Sequence, residues 1–257
     1  MDTAERIAEF LPKACRRRTV SIGGRELAVD GISVFLSGIP FAPFNPTVVV
    51  EMPADPDAAL AKARELHRAS GVPFGIDLDA DLHAPVRDAA ARASLTVIES
   101  RPAMAIGAAD VAVTAPLDGL RIETVVEPLG LDAVAAIDAV AFESPPEVVR
   151  RFLGDGVLDE PTQSVYLATL DGEPVGCGET TTLEGVIGVF GVATLPAARR
   201  RGIGAAITAH MVRDRAAEAD LAVLDASDLG FGVYERLGFR SVATWEVWGE
   251  ATPPRPR

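Results

Sequence analysis

The chain has 257 residues, is 48% hydrophobic and carries 24 basic against 37 acidic side chains, a formal net charge of -13. Such a length suits two compact halves or one elaborate domain, and the apolar content is ample for a core, which excludes a disordered chain. The acidic balance argues against duplex nucleic acid, which demands a basic face, and no run of about eighteen uncharged apolar residues offers a membrane span.

The N-terminal stretch "MDTAERIAEFLPKACRRR" reads as an amphipathic helix without the layout of a signal peptide, so a cytoplasmic protein is expected. From about 18 to 106 the strands "TVVVEM", "VPFGIDL" and "LTVIES" alternate with helices over "DPDAALAKARELHRAS" and "HAPVRDAAARAS", a small α/β unit. Leu60, Ala63 and Leu66 recur at helical spacing, and Gly71 and Pro73 stop that helix. Gly107 to Gly119, with Pro116 and two aspartates, is the expected domain boundary.

A more regular series follows. "LRIETVVEP" is a strand, then a helix in which Asp132 can cap and Val134, Ile137 and Ala141 share a face, then a helix at "PPEVVRRFL". "SVYLATL", "EPVGCGETTT" and "VIGVFGVAT", joined by turns at Asp171-Gly172 and near Glu184-Gly185, form an antiparallel meander. The helix "GIGAAITAHMVRDRAAEA" turns Ile207, Met211 and Val212 inward; a strand "LAVLDAS", a short helix ending at Gly238 and a last strand "SVATWEVW" complete the order β-α-α-β-β-β-α-β-α-β. The tail "ATPPRPR" has too few apolar residues to pack and is expected to be mobile.

Only Cys15 and Cys177 are present, far apart, and His67, His83 and His210 have no metal-ligand spacing. The chemistry lies instead in "RRRGIG", residues 199–204, between a strand and a helix. A helix start leaves its first N–H groups unpaired and carries partial positive charge, glycines let a phosphate approach that backbone, and arginine forks suit its oxygens. A tight turn with solvated arginines is the competing structural role. No Walker run G-x-x-x-x-G-K-[ST] occurs. A dinucleotide fingerprint fails because Ile207 stands at the third glycine and Pro196 to Arg201 separate strand from glycines.

"LPAARRRGIGAAI" resembles the acetyl-CoA-binding signature R/Q-x-x-G-x-G/A of the GNAT-superfamily N-acetyltransferases, with Arg199, Gly202 and Gly204 at its fixed positions. "LDASDLGFGVYERLGF" is similar to the family's second signature through Tyr234, Leu237, Gly238 and Phe239. The resemblance covers about 120 to 249. It implies an α/β (α+β) fold, a mixed and mostly antiparallel sheet flanked by helices, with a degenerate GNAT-like domain at 1–115, a catalytic acetyl-CoA-binding domain at 119–250 and the tail at 251–257. The role of the first domain, which lacks the cofactor signature, stays open between walling the acceptor site and adding stability.

By the same resemblance the strand before the glycines splays from its neighbour, Val192 and Thr194 present backbone groups to the pantetheine arm with Ala193 between them in the cofactor site, and the N–H groups of Arg200, Arg201, Gly202, Ile203, Gly204 and Ala205 hold the pyrophosphate. Ser227 occupies the place of an asparagine that touches that arm in many relatives. Tyr234 is implied as the acid that protonates the leaving thiolate, with Glu179 the first choice of base and Glu143 and Asp228 in reserve; Cys177 is expected to be a buried strand residue. The expected activity is acetyl transfer from acetyl-CoA to an amine, with a catalytically silent acyl-CoA sensor as the alternative. The acceptor and a homodimer are left open.

Overall fold

The computed structural model describes residues 1–250; the expected mobile tail lies outside the described residues. The chain forms two compact units, Met1–Pro102 with the segment from Ala243, and Ala103–Val242.

Helix α1 (Thr3–Ser21) opens on a reciprocal cap, in which the Asp2 carboxylate accepts the Glu5 N–H and the Glu5 carboxylate accepts that of Asp2. Strands β1 (Arg25–Val29) and β2 (Ile32–Leu36) form a hairpin around Asp30-Gly31, both at positive φ. Its Asp-Gly turn is a direct hairpin signal in the sequence. Then come β3 (Thr47–Val49), α2 (Pro56–Ser70), β4 (Gly75–Asp79), α3 (Ala84–Arg92) and β5 (Thr96–Gly107). Helix α2 ends where expected, at Gly71 in the left-handed conformation.

The second series is β6 (Leu120–Thr124), α4 (Pro128–Ala141), α5 (Pro146–Leu153), β7 (Gln163–Leu170), β8 (Glu173–Leu183), β9 (Val186–Thr194), α6 (Ile203–Arg215), β10 (Leu221–Asp225), α7 (Asp228–Leu237) and β11 (Arg240–Gly249). This is the predicted order. One detail differs: α4 starts four residues before Asp132, at Pro128, whose missing N–H costs nothing at a first helical position. Asp132 instead accepts from Arg150 Nε at 2.5 Å, linking α4 to α5.

In the first unit the strand order is β1-β2-β3-β4-β11, antiparallel except for β3 with β4. Its core gathers Ile32, Val34, Leu60, Ala63, Ile76, Leu78, Val86 and Ala89 beneath α2 and α3. In the second unit the order is β5-β10-β9-β8-β7-β6, antiparallel except for β10 with β9. The mixed, mostly antiparallel sheet flanked by helices is therefore the observed architecture.

The units divide at 102/103 and 242/243, not at the glycine-rich segment 107–119. That segment is tied into the second unit: Ala108 N–H is donated to Asp220, Ala112 N–H to Leu237, and Val111 is buried. Strand β5 is twelve residues long and pairs with β10 only through 103–107, while β11 pairs with β4 through 245–249. Long strands thus give their two ends to different units.

Helix α6 packs closely on β8 and β9 because β8 presents glycines to it. A Cβ on Gly176 would lie 2.7 Å from Ile207 Cδ1, and one on Gly178 2.7 Å from Met211 Sδ. Alternation along the strand then sends Cys177 and Glu179 to the opposite face, under α4.

Candidate active site

Strand β9 is paired along its length with β8, but with β10 only as far as Gly188 opposite Val223. Beyond that point, among the described residues, 189–194 have no strand on the β10 side. The cause is local: the β8–β9 register passes from Glu179 opposite Phe190 to Cys177 opposite Ala193, so two β9 residues, Gly191 and Val192, face one on β8. Gly191 is at φ +56°, as a bulge of this kind demands, and the added twist turns β9 away from β10. The result is a strand edge with no neighbouring strand on that side, the template for an extended ligand. Val192, Ala193 and Thr194 lie on this stretch.

The chain then turns through Pro196–Ala198 into the arginine run. Arg200 and Gly202 are both left-handed, at φ +61° and +85°, and α6 begins at Ile203. Gly202 offers no capping side chain, and among the described residues the N–H groups of Ile203, Gly204 and Ala205 have no acceptor. Left-handed residues next to a helix start concentrate N–H groups into an anion-binding concavity. A Cβ on Gly204 would make an ordinary contact with Thr194 Oγ1, 3.6 Å away, on the side of the strand end. Arg200 and Arg201 are exposed, whereas Arg199 turns back and donates Nε to the Thr194 carbonyl at 3.0 Å, bracing the loop against the strand end.

Tyr234 projects from α7 into the core with 9% of its surface exposed, edge-on to Phe239. Burial pushes its phenol up to about 12. The hydroxyl has no partner among the described residues. Its helix is held at both ends: Ser227 Oγ accepts the Gly230 N–H at 3.2 Å, and Gly238, at φ +103°, ends the last turn, with the Phe239 N–H bonding the Tyr234 carbonyl. Ser227 is thus a helix cap.

Glu179 lies over the bulge. A Cβ on Gly191 would be 3.1 Å from Glu179 Oε1 and 3.7 Å from Asp138 Oδ2, so two carboxylates converge there, one from β8 and one from α4. Beneath them Cys177 is 1% exposed, its Sγ 3.9 Å from the carbonyls of Val134 and Gly191. Burial first, then Asp138 and Glu179, push this thiol well above its usual range, so it remains protonated. Glu143 is exposed in the turn after α4, at φ +53°, and Asp228 is exposed at the start of α7.

The acetyltransferase (GNAT) domain family matches residues 161–241, from β7 to the start of β11 and across both the concavity and Tyr234. This segment resembles a GNAT domain. A GCN5-related N-acetyltransferase from Kribbella flavida aligns over 94% of this chain and 95% of its own, with a TM-score of 0.75 and 23% identity. A functionally unknown conserved protein from Staphylococcus epidermidis aligns over 90% and 96% (TM-score 0.64, 16% identity), and a tandem GNAT protein from the clavulanic acid biosynthesis pathway over 88% and 80% (0.59, 16%). At these identities the likeness is one of fold, and it runs through both units. No curated protein is similar enough to match the chain.

The first unit repeats the strand-helix-strand-helix order of the GNAT domain in β3-α2-β4-α3, with β3 and β4 likewise parallel. The start of its α2 is closed, however: the Asp55 carboxylate accepts the Ala58 N–H, Pro56 removes an N–H, and Asp57 in the first turn is paired through both oxygens with Arg92. Those features repel an anion where α6 invites one. Within the second unit, the residues that sequence reading missed are Gly191 and Asp138. The glycine in "GVFGVAT" hinted at a bulge; nothing in the sequence places Asp138 beside Glu179.

Proposed function

We propose that the protein transfers an acetyl group from acetyl-CoA to a primary amine by direct attack. The observation that carries this reading is the open β9 edge running into the unpaired N–H groups at the start of α6. Residues 192–194 would pair with the pantetheine amides as a further strand, and the concavity from Arg200 to Ala205 would take the pyrophosphate, with Arg200 and Arg201 adding charge. The N–H of Val192 would polarise the thioester carbonyl. The amine nitrogen attacks the carbonyl carbon, its proton passes to Glu179 directly or through water, the C–S bond breaks, and the sulfur takes the Tyr234 proton. The products are the N-acetylated amine and CoA thiol. Cys177, protonated and covered, takes no part; an uncoupled thiol of this kind fits a reducing, cytoplasmic setting.

Calorimetry with acetyl-CoA tests this. The wild type is expected to bind in the micromolar range and Gly204→Glu not at all, because a negative charge in the first turn of α6 opposes an anion at the helix start. No binding by the wild type would overturn the reading, and binding without thiol release across a range of amines would point to an acyl-CoA sensor.

A further inference from the structure

Strand β6 lies at the end of the second unit's sheet, and among the described residues it pairs only with β7. In an antiparallel pair alternate residues turn their N–H and C=O groups towards the neighbouring strand. The Asp171 N–H is donated to the Gly119 carbonyl and the Val125 N–H to the Val165 carbonyl, so in this register Arg121 and Glu123 face β7, while Leu120, Ile122 and Thr124 direct their backbone groups outwards. The Leu120 N–H is donated to the Leu117 carbonyl; the groups of Ile122 and Thr124 form an open edge. Side chains alternate as well. Leu120 and Ile122 pack against the core, whereas Arg121 and Glu123 are exposed on the other face, beside Thr169 and Leu167 of β7, and neither has an ion pair among the described residues.

The stretch "LRIET" is complementary to itself. Laid antiparallel on a second copy about Ile122, it exchanges two hydrogen bonds between the two Ile122 residues, and each Thr124 N–H meets the Leu120 carbonyl of the other copy. The same register sets Arg121 opposite the partner's Glu123, twice, at positions where the strands share no hydrogen bond and side chains come closest. Chains with a formal net charge of -13 repel one another, so association requires local complementarity of this kind. Beside the edge, Val126 and Leu129 are 75% and 77% exposed and line a hollow of about 360 Å³, which places apolar surface at the margin of the same strand.

We propose that β6 is the interface of a symmetric dimer, in which a second copy of this chain adds its own β6 antiparallel across the open edge and the two strands are matched through Arg121 and Glu123. The contact uses the same surface on both copies, so it closes at two.

Sedimentation velocity on the full chain tests this, with circular dichroism to confirm folding. The wild type is expected to sediment as a dimer at micromolar concentration. Arg121→Glu sets four acidic side chains against one another and Glu123→Arg four basic ones, so each should raise the dissociation constant at least about tenfold. An equimolar mixture of the two variants regains both opposite-charge pairs and should form a heterodimer of near wild-type affinity, and the double variant Arg121→Glu/Glu123→Arg should dimerise by itself. Recovery of this kind belongs to the antiparallel register alone, since a general effect on packing or net charge would not be undone by mixing. A monomeric wild type, a dimer indifferent to both single variants, folded single variants that stay monomeric when mixed, or a monomeric double variant would each overturn the proposal.

Discussion

Burial keeps the proton on Tyr234. Removal from water disfavours the phenolate and raises its ionisation to about 12, so it carries its proton throughout the pH range of an assay. Its ionisation therefore sets no alkaline limb in the pH-rate profile below about pH 10, and Tyr234→Phe is expected to lower kcat by about a hundredfold with acetyl-CoA binding unchanged in calorimetry. An unchanged kcat would remove it from the reaction. Two buried histidines of the first unit give a prediction of the opposite sign. His67, whose Nε2 meets Thr47 Oγ1 at 2.7 Å, and His83, whose Nδ1 accepts the Asp79 N–H, are both held below the usual histidine range by burial. They stay neutral in the folded chain while the unfolded chain takes up protons near about pH 6.5. Their contribution is therefore present above that pH and is lost as the pH falls through their folded values. The melting temperature should drop between about pH 7.5 and pH 5.5, and the drop should shrink in His67→Gln/His83→Gln.

At the scale of the element, β8 is a strand with two functions divided by its alternation. Gly176 and Gly178 admit α6 on one face, while Cys177 and Glu179 line the other. In Gly176→Ala the new Cβ would stand 2.7 Å from Ile207 Cδ1 and 2.9 Å from the Ala193 carbonyl, and the latter, being backbone, cannot rotate away. The substitution should cost about 1–3 kcal/mol in urea unfolding. It also pushes against β9 at Ala193, so acetyl-CoA affinity should fall with it. Helix α6 shows how much of an element's role is local. Its glycines, the absence of a capping side chain and the exposed arginines follow from a dozen consecutive residues, which is why the concavity was legible in the sequence. The α1 helix, the meander and the Schellman-type end at Gly238 were legible for the same reason: each depends on neighbours in the chain.

At the scale of the molecule, all of the proposed site residues lie within 103–242, while Trp245 is buried in the first unit, edge-on to His83. Trp245→Ala should destabilise that unit by about 3–5 kcal/mol in denaturant titration. Acetyl-CoA binding under native conditions should survive it, and parallel loss of both would show that the units do not act separately. The sequence by itself determined the order of elements in the second half and the glycine-rich turn ahead of α6, because turns, caps and hydrophobic periods are written in adjacent residues. Only the tertiary structure decided that β5 and β11 share their ends between units, that Arg92 pairs with Asp57 at the start of α2, and that Asp138 meets Glu179 at Gly191. Those facts depend on how α4 crosses the sheet and where a bulge shifts one strand past another, and such long-range packing leaves no pattern in the spacing of residues along the chain.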